Sequence, residues 1–102
     1  MIIYNTTYHI EDDIHDDYIA FVKDELIPRA LKSGHLSNPQ LAMIHSQHEE
    51  NGVSYALQFR VDDLVKLEEW MLVYGQSIRA DIAKRFGEKA LGFMTLLEEV
   101  SL

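Results

Sequence analysis

The chain contains no cysteine. That excludes disulfides, thiolate metal sites and cysteine nucleophiles, and it fits a reducing compartment. Basic residues are scarce: nine Lys and Arg stand against seventeen Asp and Glu, giving a formal net charge of -8 over 102 residues. No cluster of cations offsets this balance locally, so phosphate backbones and anionic membrane surfaces are both disfavoured partners. No apolar stretch approaches the roughly 20 residues of a membrane helix. The opening MIIYNTTYHI lacks the basic n-region and apolar run of a signal peptide. These absences lead us to expect a soluble, cytoplasmic protein without nucleic-acid or membrane partners.

What remains is enough for one core. A 47% hydrophobic content supports a single domain over residues 1–102, with a thin stability margin that burial against a partner would widen. Residues 2–10 alternate, with Ile2, Tyr4, Thr6, Tyr8 and Ile10 on one parity and Ile3, Asn5, Thr7 and His9 on the other. This is a strand with one apolar and one mixed face, expected at the centre of a sheet. Glu11, Asp12 and Asp13 then supply N-cap candidates and favourable charge for a helix beginning near Ile14, in which Tyr18, Val22, Leu26 and Ala30 recur at helical spacing. Pro28 is expected to kink or restart it, and Gly34 to stop it.

Asn38 and Pro39 mark a turn, followed by strands at about 41–48 and 53–61 joined through Glu49-Glu50-Asn51-Gly52, a tight-hairpin signal. Tyr55, Leu57, Phe59 and Val61 alternate cleanly with Ser54, Ala56, Gln58 and Arg60. Asp62 and Asp63 cap a second helix over 63–86 with a core stripe of Leu64, Leu67, Met71, Tyr74, Ile78 and Ile82, broadened by Trp70. Gly75 predicts a kink within it, and Phe86-Gly87 its end. A last strand runs over about 89–98. The order β, α, β, β, α, β with right-handed crossovers predicts an α+β, ferredoxin-like fold: four antiparallel strands with two helices on one face.

That fold leaves one sheet face uncovered. Asn5, Thr7, His9, Gln58 and Arg60 are expected there. His45 with Met43 and Gln47, and Met94 with Leu96, are further candidates whose face a bulge would decide. The mixture of apolar and polar groups suits a homodimer through the open face, or a partly polar pocket that such a dimer encloses. His9 and His45 facing one another could act as bases near neutrality, and Asn5, Gln58 and Arg60 could orient a small anion. The blander reading of these five is hydrogen bonding at the surface or an interface. Metal sets drawn from His9, Glu11, Asp12 and His15, or from His45 and His48, match no tight motif, since residues three apart on a strand point to opposite faces. We therefore assign no metal and no cofactor. The acidic run Glu11 to Asp17 is a helix start plus solvated charge.

No glycine-rich phosphate loop follows the first strand, where acidic residues stand instead, and no serine sits in a nucleophile elbow. No catalytic residue is assigned. Trp70, Tyr74, Phe86 and Phe93 are read as packing residues. Tyr55 and Phe59 face the helices, which removes the exposed stacking aromatics an RNA-binding sheet needs.

The opening MIIYNTTYHI, the segment DELIPRAL with Gly34 after it, the strand YALQFRV and the ending KRFGEKALGFMTLLEEV together resemble a group of small bacterial proteins classed as domain of unknown function 4286. The resemblance covers essentially the whole chain. It implies a single ferredoxin-like domain related in shape to dimeric α+β barrels, and it carries over no catalytic residue. Many members of the group have a His just before the Ile-Pro of the first helix. Leu26 stands there in this chain, which argues against an essential base at that position. More distant barrel relatives include cofactor-free monooxygenases and haem-handling enzymes, a link of fold that transfers no function.

The leading expectation is a non-catalytic homodimer that binds a small molecule or a protein partner. The alternatives are a dimeric-barrel-type enzyme, cofactor-free oxygenase or isomerase-like, with a pocket on the open sheet face, and a structural or assembly protein.

Overall fold

The computed structural model describes residues 1–45 and 51–102. Four strands, β1 (Ile2–Ile10), β2 (Ser37–Ile44), β3 (Val53–Val61) and β4 (Ala90–Glu98), form one antiparallel sheet in the order β2-β3-β1-β4. Two helical rods cross one face. The first comprises a 3-10 turn at Asp12–Ile14, α1 (His15–Phe21), a π-turn (Val22–Leu26) and α2 (Ile27–Lys32). The second comprises α3 (Leu64–Trp70), a π-turn (Met71–Gly75) and α4 (Gln76–Phe86). This is the expected ferredoxin-like α+β fold, with β1 in the interior of the sheet.

Both expected irregularities fall where the sequence placed them, as π-turns. Pro28 has no amide to donate and its ring would strike the carbonyl one turn back, so the helix widens just before it and Ile27 N–H donates to the Val22 carbonyl. In the second rod the Gln76 N–H donates to the Met71 carbonyl, one residue further back than an α-helix allows. Asp63 caps this rod, its carboxylate accepting from the Lys66 N–H at 2.9 Å.

Between the rods and the sheet lie Ile2, Tyr4 and Ile10 of β1, Leu57, Phe59 and Val61 of β3, and Tyr18, Val22, Trp70 and Ile82 of the helices, all buried. Each large side chain removed from water this way contributes about 1.5–3 kcal/mol. Their burial outweighs helix propensity in holding the rods down. Leu64, expected in the core stripe, is instead 51% exposed. It is the first residue of α3, where the rod has not yet reached the sheet.

Three further expectations are corrected. The turn at Asn38-Pro39 is an irregularity inside β2, where the pairing with β3 shifts between Ser37 and Gln40 and Asn38 takes a φ of 51°. β2 is an edge strand, so proline is tolerated at the bulge. The strand therefore spans Ser37–Ile44 instead of 41–48, and the rest of that span, with Gln47, His48, Glu49 and Glu50, lies outside the described residues apart from His45. Of the Asn-Gly pair only Gly52 has a positive φ. Phe93, expected to pack in the core, is 65% exposed; it lies on β4 opposite Thr7, on the uncovered side of the sheet.

Candidate functional site

The register sorts every strand residue onto one of two faces. On the uncovered face, Asn5 pairs across to Gln58 and Thr95, Thr7 to Ala56 and Phe93, and His9 to Ser54 and Leu91. Ala42 and Ile44 extend this face on β2, because they oppose Ala56 and Ser54. Five of the six expected residues, Asn5, Thr7, His9, Gln58 and Arg60, thus share it. His45 lies just past the end of β2, beyond the last paired residue Ile44, so the register places it on neither face. Met94 and Leu96 are likewise corrected: they oppose Thr6 and Tyr4 on the helix-facing side, while Leu91, Phe93, Thr95 and Leu97 point the other way.

The shared face is a polar centre with apolar borders. Asn5 is only 7% exposed and donates to Thr7 Oγ1 at 3.0 Å, while its Oδ1 is buried and accepts nothing within the described residues. His9 Nε2 lies 2.6 Å from the Asn51 carbonyl oxygen, and its Nδ1 lies 3.5 Å from the Ser54 hydroxyl. Arg60 is paired with Glu99 at the sheet's end. These groups are engaged within the sheet, and they do not converge on an enclosed space. Leu91, Phe93 and Leu97 on one side and Ile44 on the other are all exposed.

A second site lies on the opposite side, and the candidate residues did not include it. There the second rod leaves β4 partly uncovered, opening a crevice along β1. One hollow of about 380 Å³ is lined by Tyr4, Glu68, Met71, Leu72, Gly75, Gln76 and Arg79. Another of about 450 Å³ is lined by Thr6, Tyr8, Arg79, Gly92, Phe93 and Met94. Arg79 is common to both. Beneath them an internal void of about 30 Å³ reaches Trp70 and Tyr18.

Two glycines shape this crevice. A Cβ on Gly92 would stand 2.4 Å from the Thr7 carbonyl oxygen and 2.6 Å from Tyr8 Cγ, so only glycine lets the Tyr8 ring lie across β4. A Cβ on Gly75 would stand 3.0 Å from Trp70 Cζ3, so its absence lets the indole tuck against the π-turn. Trp70 also meets Tyr4 edge to face at 5.4 Å. The indole Nε1 is buried without a hydrogen-bond partner in the described residues, an uncommon state for a buried donor.

Burial pushes the phenols of Tyr4 and Tyr8 above their ordinary value, and Tyr18 beneath them further still. The Arg79 guanidinium, by its charge and by a side-chain hydrogen bond, partly offsets the effect at Tyr4. These phenols therefore stay protonated at neutral pH, fit to donate hydrogen bonds and poorly fit to abstract protons. Arg79 Nη2 also touches Met94 Sδ at 4.0 Å. Of four arginines, Arg29, Arg60 and Arg85 each meet a carboxylate, whereas among the described residues Arg79 meets none.

Signals for this crevice were in the sequence. Thr6 is the one polar residue on the apolar parity of β1, Gly75 interrupts a helix, and Arg79 follows it by four residues. They could be read as separate irregularities, but their convergence needed the rod's crossing position.

This sheet order, with two rods on one face, is that of the ferredoxin-like α+β fold. The chain belongs to the family described as Domain of unknown function (DUF4286), whose sequence profile matches residues 1–100. Solved structures of similar fold include an ethyl tert-butyl ether d (EthD) family protein from Bacillus halodurans, 18% identical, with a TM-score of 0.73 over 98% of this chain and 100% of that one. A mutant of MhuD with two manganese protoporphyrin IX bound per active site is 14% identical, with a TM-score of 0.69 over 99% and 96%. SnoaB, a cofactor-independent oxygenase from Streptomyces nogalater, is 8% identical, with a TM-score of 0.65 over 99% and 94%. At these identities the likeness is one of fold. No curated protein matches the chain. Among the described residues, no helix is long and apolar enough to cross a membrane.

Proposed function

We propose that this protein is a small bacterial, cytoplasmic homodimer that binds a small molecule without transforming it. The crevice between the second rod and β1 is the binding site. The observation that carries this reading is the crevice itself: largely apolar walls around one arginine that meets no carboxylate among the described residues, with hollows in the size range of ligand clefts. The protonated phenols along its floor favour holding a ligand over proton abstraction. Dimerisation through the open sheet face is supported by the apolar rows of β4 and β2 flanking the buried, half-satisfied Asn5. In this reading Asn5, Thr7, His9, Gln58 and Arg60 belong to the interface, and the absence of cysteine suits a reducing compartment.

The test combines light scattering with an amide chemical-shift screen of apolar fragments. A mass of two chains, with shifts clustered at Gly75, Gln76, Arg79 and Gly92, is expected. A monomer would overturn the dimer, and shifts scattered over the surface or confined to the open face would overturn the binding site.

A further inference from the structure

The ligand's chemistry can be narrowed from the groups the crevice offers. Its one cation is Arg79, which carries five N–H groups and no acceptor. The Gln76 amide can add donors, whereas the Thr6 hydroxyl already donates to the Leu57 carbonyl oxygen at 3.5 Å. The one carboxylate present, Glu68, stands eleven residues from Arg79 on the same rod, about 16 Å along its axis at the usual helical rise, and does not pair with it. A guanidinium that meets no carboxylate among the described residues is notable in a chain of net charge -8, where acidic side chains are abundant and the other three arginines are ion-paired.

The remaining walls are apolar and adaptable. Met71 and Leu72 rim one hollow and Met94 the other, and methionine side chains mould to irregular partners. Gly75 and Gly92 let the Trp70 and Tyr8 rings pack close to the backbone, which adds aromatic surface beneath the crevice. We infer that the crevice takes an amphipathic monoanion: a small, mainly apolar molecule whose single carboxylate or sulfonate-like group is held by Arg79. This inference rests on the crevice being the ligand site and adds the identity of the anchor. A planar guanidinium meets two anionic oxygens at once, which an ammonium does not.

The test uses two fluorescent probes of nearly equal size, anilinonaphthalene sulfonate and its uncharged parent, phenylnaphthylamine, titrated into the intact protein. A hydrogen-bonded charge contact contributes about 1.5–3 kcal/mol, so the sulfonate is expected to bind about tenfold or more tightly than the neutral probe. Arg79→Gln should erase that difference while leaving the neutral probe's affinity and the near-ultraviolet circular dichroism unchanged. Lys23→Gln, which removes a cation from the other rod, should change neither probe. If Arg79→Gln perturbs the fold, Met94→Glu places a carboxylate beside the guanidinium and should produce the same selective loss. Equal affinities for the two probes, or sulfonate binding indifferent to both crevice variants, would overturn the anion anchor and leave the crevice standing as an apolar site. Binding of neither probe would overturn the crevice reading as well.

Discussion

The two parities of β1 have nearly the same length of strand to work with and serve different ends. On one, Ile2, Tyr4, Thr6, Tyr8 and Ile10 meet the helical rods, and wherever the rods fall short they become the floor of a crevice. On the other lie Ile3, Asn5, Thr7 and His9, with Asn5 buried among its sheet neighbours and its Oδ1 accepting no hydrogen bond among the described residues. Burial is therefore a poor guide to which face carries a ligand site. The covered face has the space, in hollows of about 380 and 450 Å³ that share Arg79, which meets no carboxylate among the described residues. On the uncovered face Asn5, His9 and Arg60 already make contacts with their own neighbours, and the exposed apolar residues lie at the borders. Such a surface matches a second sheet better than a small molecule.

The comparison is broken most severely at the core. Phe59→Ala should cost about 3–5 kcal/mol, near the whole stability of a domain of this size. Phe93→Ala, on the uncovered face, should barely change the unfolding of a dilute protomer. Urea denaturation followed by circular dichroism separates them, and a comparable loss at Phe93 in the dilute limit would mean that the open face is part of the protomer's own core. A smaller effect is expected at the crevice edge. Gly92→Ala forces a methyl group against the Thr7 carbonyl and the Tyr8 ring, at about 1–3 kcal/mol. It should also abolish probe binding, and a stable variant that binds normally would show that the Tyr8 ring does not define the floor.

Asn5→Val sharpens the other half of the comparison. It removes an amide whose oxygen lacks a partner, so protomer stability should change by less than about 1 kcal/mol. If the partner sheet supplies the missing donor, dimer dissociation measured by sedimentation should rise several-fold. A dimer unaffected by the change would place the interface elsewhere.

The last effect is absent at neutral pH. Tyr4, Tyr8 and Tyr18 have phenols raised by burial above the ordinary value of 10.0. An acid whose value is higher in the folded state than in the unfolded one contributes its full stability below about pH 10 and loses it as the pH rises further. The melting temperature should therefore hold steady up to that point and then fall. Tyrosinate absorbance should show these three of the five tyrosines ionising only as the protein unfolds. Ionisation of all five before any loss of structure would mean that water already reaches the crevice floor.

Period-two and helical patterns carried much of the fold, because the alternation of β1 and β3 and the stripe of the second rod follow from which side chains avoid water. The irregularities at Pro28 and Gly75 were legible for an equally local reason: one lacks an amide and the other a side chain. Five of the six expected face residues also fell together, since parity alone sorts β1 and β3. Parity failed at β2 and β4. The bulge at Asn38-Pro39 resets the count on one, and on the other apolar residues occupy both parities, so that Phe93 looks as much like core as Leu96 does. These are edge strands, each paired on one side only, and sequence spacing holds no record of how far a helix extends over them.

Sequence by itself determined the element order, the central core and the acidic, cysteine-free character of the surface, because each depends on composition or on spacing within one segment. Only the tertiary structure decided that Thr6, Gly75, Arg79 and Gly92 meet. They come from three separate elements, and what unites them is where the second rod crosses the sheet.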